Sequence, residues 1–206
     1  MRILAVGDLH LGSGPSRLPE ELSGRAGELG TAEVLRRIVD EAVEAGVDAV
    51  VFAGDVVEDE DDFFEAYREL ASAVAQLTTA GIRVLGVAGN HDVRVLPRLA
   101  DGIEAFELLG RDGRWEAVTL EAQGESLTLH GWSFSQPKVR QSPLQEHRFE
   151  PGPGPNLGIL HGDRDQPASD YAPVSSRELD AASLDGWLLG HIHKPDSLSA
   201  PNPCGY

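Results

Sequence analysis

The chain has 206 residues, with 17 Lys+Arg against 34 Asp+Glu and a formal net charge of −17 at pH 7. Its 41% hydrophobic and 25% charged content is that of a globular protein, and the length predicts one domain, residues 1–206, with a core that needs no staples. The charge excludes a free-standing basic nucleic-acid binder, because neutralising phosphates takes surface Lys and Arg, although bound cations or a basic partner can supply positive charge locally. Cys204 is the single cysteine, so no intrachain disulfide can form and a reducing compartment is expected. No apolar run approaches the roughly 20 residues that cross a bilayer. Asp8 and His10 interrupt the apolar start too early for a signal peptide, so a cytoplasmic protein without membrane contact is expected.

Residues 2–6 read as a buried strand and 8–16 as a glycine-containing loop. Over 31–45, apolar residues fall at Val34, Leu35, Ile38, Val39, Ala42 and Val43, the spacing of one helical face, with Gly46 placed to end the helix. A compact apolar run at 47–53 reads as the next strand. The helical pattern returns over 62–80 through Phe64, Tyr67, Leu70, Ala71, Val74 and Leu77, closed by Gly81, and 82–88 is again a strand. Strands alternating with helices predict a parallel sheet covered on both faces. The acidic run 58–62 reads as a solvated loop and helix start, where negative charge suits the helix dipole.

The second half changes character. Residues 115–120 and 126–134 predict a hairpin around Gln123-Gly124-Glu125, and the Pro-Gly-Pro-Gly-Pro stretch at 151–155 a connecting loop. A strand at 157–160, a short helix at 176–182 and a last strand at 187–191 follow.

Five short stretches each lie just after a predicted strand: Asp8-Leu9-His10, Gly54-Asp55, Gly89-Asn90-His91-Asp92, His161-Gly162 and Gly190-His191-Ile192-His193. In open α/β sheets the carboxyl ends of strands converge on one crevice where ligands bind. Five of the seven histidines fall in these stretches, and the other two are His130 and His147. Asp, His and Asn with no cysteine nearby favour Mn, Fe or Zn over thiolate-seeking ions. In Asp8-x-His10 and His191-x-His193 the paired side chains point to the same side of an extended backbone, so each pair can meet one ion or two adjacent ions. With two divalent ions, Asp8, Asp55 and one bridging hydroxide, four positive charges meet three negative ones. The net positive site would attract a phosphate ester, and two ions can activate the bridging water for in-line displacement.

The ordered set DxH, GD, GNHD, H and GHxH resembles the calcineurin-like metallophosphoesterase superfamily over nearly the whole chain, from Met1 to His193. Asp8-Leu9-His10-Leu11-Gly12 with Gly190-His191-Ile192-His193 looks most like the SbcD-type DNA repair exonucleases within it. The resemblance implies an α/β fold, a two-sheet β sandwich flanked by helices in four αββα layers, around a dinuclear centre holding two divalent ions, Mn²⁺ first and Fe or Zn as alternatives. Asp8, His10 and His193 would ligate one ion and Asn90, His161 and His191 the other, with Asp55 bridging. His91 would contact the substrate phosphate or assist the leaving oxygen, and Asp92 would hold or polarise His91. The expected activity is phosphodiester hydrolysis on DNA by a metal-bridging hydroxide. SbcD-like proteins also carry a capping domain and helices that engage an ATPase partner. No segment here matches those parts, and residues 202–206 resemble the start of a further strand, so a truncation is expected. Two rivals stand beside this reading: a phosphoesterase for small nucleotides or phosphomonoesters on the same site, and a metal-binding interaction scaffold without activity.

Other positions carry plainer expectations. His130 reads as a packing or surface residue, His147 as solvated, and Trp115, Trp132 and Trp187 as core. The loop 11–22 with Arg17 reads as ordinary surface, and Arg94 is a candidate phosphate contact.

Overall fold

The computed structural model describes residues 1–13, 30–58, 63–196 and 203–206. Strands β1 (Ile3–Val6), β2 (Ala49–Ala53), β3 (Arg83–Val87) and β4 (Phe106–Leu108) form a wholly parallel sheet in that order. Helices α1 (Thr31–Ala45), α2 (Phe63–Thr79) and α3 (Leu96–Gly102) lie between successive strands of this sheet in sequence. A second sheet follows: β5 (Glu116–Ala122) pairs antiparallel with β6 (Glu125–Trp132) through the expected Gln123-Gly124 turn. The strands β7 (Asn156–His161), β8 (Gly186–Gly190) and β9 (Cys204–Gly205) then add in parallel, with α4 (Ser176–Ala181) between β7 and β8.

Alternation along β2 shows how the layers stack. Val50 and Phe52 face one core with Leu35 and Val39 of α1 and Leu70 and Val74 of α2. Ala49, Val51 and Ala53 face the other way, against Leu129 of β6 and Ile159 of β7. On the far side of the second sheet, Trp132, Leu160, Trp187 and Leu189 pack with Leu179 of α4. The order is therefore helices, sheet, sheet, helix. Both faces of the first sheet are covered, as its apolar strands require, but one cover is the second sheet rather than more helices. Each fully buried Val, Leu or Phe contributes about 1.5–3 kcal/mol of transfer free energy, so β2, buried at all five positions, is a major contributor to the core.

The expected helices match α1 and α2 to within a residue at each end, and Gly46 and Gly81 follow them. Two elements carry no sequence signal: α3 is only seven residues with a proline at its start, and β4 only three. The capping box of α4, in which Ser175 and Glu178 bond each other's backbone N–H, fixes where that short helix begins. Within the tail expected to start a strand, Cys204 and Gly205 pair with Trp187 and Leu188. Arg17 and most of the loop 11–22 lie outside the described residues, as does the acidic run beyond Glu58. None of the described helices is long and apolar enough to cross a membrane.

Candidate metal centre

Both sheets end at one place. Asp8 and His10 follow β1, Asp55 follows β2, Asn90 and His91 follow β3, His161 closes β7, and His191 and His193 follow β8. The loops after β1 and β2 are zipped together: His10 N–H donates to the Asp55 carbonyl at 2.9 Å, Leu11 N–H to Val56 at 2.8 Å and Glu58 N–H to Leu11 at 3.1 Å. Buried Leu9 and Leu11 anchor the first loop in the core, so Asp8 and His10, which alternate with them, are left facing the crevice. Four of the sequence-named residues adopt left-handed backbone, with φ of 54° at Asp8, 49° at His10, 48° at Asp55 and 105° at His191. Such backbone costs on the order of 1–3 kcal/mol per residue and persists where surrounding structure over-determines it, a pattern concentrated at functional sites.

The seven sequence-named donors converge as two groups that meet at Asp55. In one, Asp8 Oδ1 lies 3.5 Å from His193 Nε2, and the Nε2 atoms of His10 and His193 are 3.3 Å apart. In the other, His161 Nε2 lies 3.1 Å from Asp55 Oδ2 and 3.1 Å from Asn90 Oδ1, with His191 close enough for Asp55, His161 and His191 each to offer a ligand atom to one ion. The same Asp55 Oδ2 is 3.9 Å from His10 Nε2, which places it between the groups.

The chemistry of this donor set fits cations. His161 Nδ1–H donates to the Ala53 carbonyl at 3.0 Å, so its Nε2 lone pair would face two oxygens unless a positive charge sits there. A proton can take that place. Burial opposes charge on both partners, but their contact overrides it, holding His161 above the usual imidazole range and Asp55 below the usual carboxylate range. His10 repeats the pattern: its Nδ1–H donates to Glu58 Oε2 at 2.5 Å, leaving Nε2 turned toward another imidazole nitrogen. His191 is pushed down by burial and by neighbouring His161.

Three carboxylates depart from the sequence reading. Asp92, expected to hold His91, is 0% exposed and instead accepts Val56 N–H and Gly89 N–H, each at 2.7 Å. It ties the loop after β2 to the loop after β3 by accepting one backbone N–H from each. Burial and the Asp55 charge push Asp92 up to about 7. The carboxylate on His91 is Glu58, whose Oε1 lies 3.2 Å from His91 Nδ1. Asp163 Oδ2, 3.5 Å from His191 Nε2, is the second residue missed. His91 itself is exposed, tethered by its backbone N–H to Asp55 Oδ1 at 2.9 Å, with its ring 5.0 Å from that of His10.

The remaining candidates stand apart from the centre. His130 is buried with its Nε2–H donating to Asn156 at 2.9 Å, and His147 is exposed with its ring stacked on Trp115. Trp132 and Trp187 are buried, Trp115 is half-buried, and Arg94 is exposed three residues beyond His91.

The family model described as calcineurin-like phosphoesterase matches residues 1–195. The chain belongs to the calcineurin-like phosphoesterase family. Members of this family are metal-dependent phosphoesterases, which implies divalent ions at a centre of this composition. The chain is 27% identical, over 98% of its length, to a Bacillus subtilis (strain 168) protein described as the uncharacterized metallophosphoesterase YhaO, covering 51% of that protein. It is 31% identical, over 95% of its length, to the DNA double-strand break repair protein Mre11 of Haloferax volcanii, covering 42% of that protein. The chain thus spans about half the length of the curated relatives it matches. A solved dimetal phosphatase from Danio rerio aligns with a TM-score of 0.55 at 14% identity, over 99% of this chain and 85% of that one, which shows the shared fold.

Proposed function

We propose that residues 1–206 form one nuclease-core domain that hydrolyses phosphodiester bonds of DNA with two divalent ions, manganese first among them. The observation that carries this reading is the meeting of two donor groups at Asp55, with an exposed imidazole, His91, tethered beside them. Asp8, His10 and His193 would hold one ion, Asn90, His161 and His191 the other, and Asp55 both. The ions would supply Lewis acidity, lowering the pKa of water and neutralising charge on the reacting phosphate. Asp92 keeps the Asp55 and Asn90 loops in register from behind. His91, with Glu58 Oε1 3.2 Å from its Nδ1, is placed to give a proton to the departing oxygen, a role worth about 10²–10⁴-fold in general acid catalysis. The repair nucleases among the relatives support DNA as the substrate class.

End-labelled linear DNA with Mn²⁺ tests this, beside His91→Ala and Asp55→Asn. Cleavage should disappear in both variants, whereas Mn²⁺ binding should vanish in Asp55→Asn alone. Near-normal turnover in His91→Ala would refute its role. Hydrolysis of nitrophenyl phosphate esters without DNA cleavage would move the substrate to small phosphoesters. Bound metal with no hydrolysis of any phosphate ester would make the chain a scaffold.

A further inference from the structure

Three imidazoles of the centre have one ring nitrogen turned toward a group that can only accept, hydrogen-bonded to it in His161 and His10 and within ion-pair distance in His191. For His161 it is the Ala53 carbonyl on Nδ1, at 3.0 Å, and for His10 it is Glu58 on Nδ1, at 2.5 Å. For His191 it is Asp163, on the opposite nitrogen, with Oδ2 at 3.5 Å from Nε2. Asp163 is 9% exposed and built in from several sides. Its N–H donates to the Tyr171 carbonyl at 3.0 Å, and its own carbonyl accepts Val174 N–H at 2.9 Å. Ser169 Oγ–H donates to Asp163 Oδ2 and the Ser169 hydroxyl accepts Tyr171 N–H, which fixes the rotation of the carboxylate. The Tyr171 ring lies 5.0 Å from the His191 ring, centroid to centroid, and limits its swing. The neighbouring guanidinium, Arg164, is paired with Asp196 at 2.6 Å, which leaves the Asp163 carboxylate to the imidazole.

We propose that Asp163 is a positioning residue: it holds His191 as the Nε2–H tautomer and so presents Nδ1 as the lone-pair donor to the ion shared with Asp55 and His161. A carboxylate cannot donate when ionised, so the nitrogen facing it carries the hydrogen and the other is freed for a metal. Partners of this kind are worth about 10–100-fold in metal affinity or activity. The inference rests on the metal-centre reading above and adds to it the residue that orients one ligand.

Long-range proton–nitrogen NMR of the metal-free chain at mildly alkaline pH reads the tautomer directly. His191 should carry its hydrogen on Nε2 in the unsubstituted protein, and Asp163→Ala should relax it to a mixture of tautomers. Calorimetric titration of the same samples with Mn²⁺ should show affinity reduced about 10–100-fold in Asp163→Ala. The loss should be smaller in Asp163→Asn, whose amide oxygen still accepts from Nε2–H and whose size safeguards folding. A purely structural role would lower the melting temperature of both variants and leave the tautomer alone. An Nδ1–H tautomer in the unsubstituted chain, or one unaltered in Asp163→Ala, overturns the proposal. So does Mn²⁺ affinity in both variants within about twofold of the parent, well short of the expected range. Failure of the unsubstituted chain to bind Mn²⁺ would overturn the metal reading itself, while the tautomer comparison would still decide whether Asp163 controls the ring.

Discussion

Gly54, between β2 and Asp55, offers the sharpest test of how closely the backbone is built around the centre. Its φ is +90°, and a Cβ there would lie 2.5 Å from His161 Nδ1 and 2.7 Å from both Cβ and Cγ of that residue. His161 is 0% exposed and bonded at Nδ1, so its ring has no room to retreat. Gly81 is the natural control: its φ is +79°, with nothing within 4 Å of the position of its Cβ. Alanine at either site places an L side chain in left-handed backbone at about 1–2 kcal/mol, and both replacements restrict the unfolded chain alike. Only Gly54→Ala adds overpacking, about 1–3 kcal/mol. The expected losses are therefore about 2–5 kcal/mol for Gly54→Ala against about 1–2 for Gly81→Ala. At about 2–4 °C per kcal/mol for a chain of this size, melting should fall by about 4–20 °C and 2–8 °C respectively. Urea and thermal denaturation in chelator measure this, and Mn²⁺ calorimetry should show weakened binding in Gly54→Ala alone. Equal destabilisation of the two variants, or parental Mn²⁺ affinity in Gly54→Ala, would refute the close approach of Gly54 to His161.

Two further replacements probe the surroundings. Tyr206→Phe removes a hydroxyl that accepts Arg164 N–H at 2.7 Å and donates to the Gly162 carbonyl at 2.8 Å, and should cost about 1–3 kcal/mol in urea denaturation. Burial pushes this phenol up from 10.0 to about 12, so the folded chain holds its proton more tightly than the unfolded one. The stabilisation is complete below about pH 10 and is lost as pH rises through about 12; Tyr206→Phe should flatten that decline, and an unchanged alkaline slope would assign it to another group. Glu58→Gln keeps one acceptor for two imidazoles and should lower turnover about 10–100-fold. Because Glu58 is partly exposed, melting should hardly move, and full activity in the variant would show that His10 and His91 are oriented without it.

Much of this architecture is legible in the sequence because its signals are local and repeated. The face formed by Leu35, Val39 and Ala42 specifies α1, and the motif residues are readable because each follows an apolar strand. What was hidden depends on tertiary pairing. Glu58 sits in an acidic run whose plainest reading is solvation, and only the meeting of the loops after β1 and β2 turns it toward His10 and His91. Asp163 had a usable signal: His161-x-Asp163 has the same two-residue spacing as Asp8-x-His10 and begins at a strand end. Asp92 was assigned to its sequence neighbour His91, whereas its carboxylate reaches two backbone amides, a partnership that side-chain types do not reveal.

The added carboxylates change the electrostatic argument as well. Composition alone left the loaded centre with four positive charges against three negative, a net attraction for phosphate. Glu58 and Asp163 raise the negative count to five, so the loaded centre no longer carries a net positive charge. Capture of a phosphodiester would then rest on direct contacts at the centre rather than on a long-range field, since the chain as a whole carries −17. Association with DNA would be opposed by like charge, a repulsion that reaches only about one Debye length, about 10 Å at 0.1 M salt and longer at lower salt, so added monovalent salt relieves it. The kcat/KM for linear DNA, at fixed saturating Mn²⁺, should therefore rise between low and moderate salt. A basic footprint gives the opposite sign, because each neutralised phosphate releases counterions that salt drives back. A steep fall of kcat/KM with salt would show that arginines gathered on one face, such as Arg94 near His91, outweigh the net charge where the substrate lands.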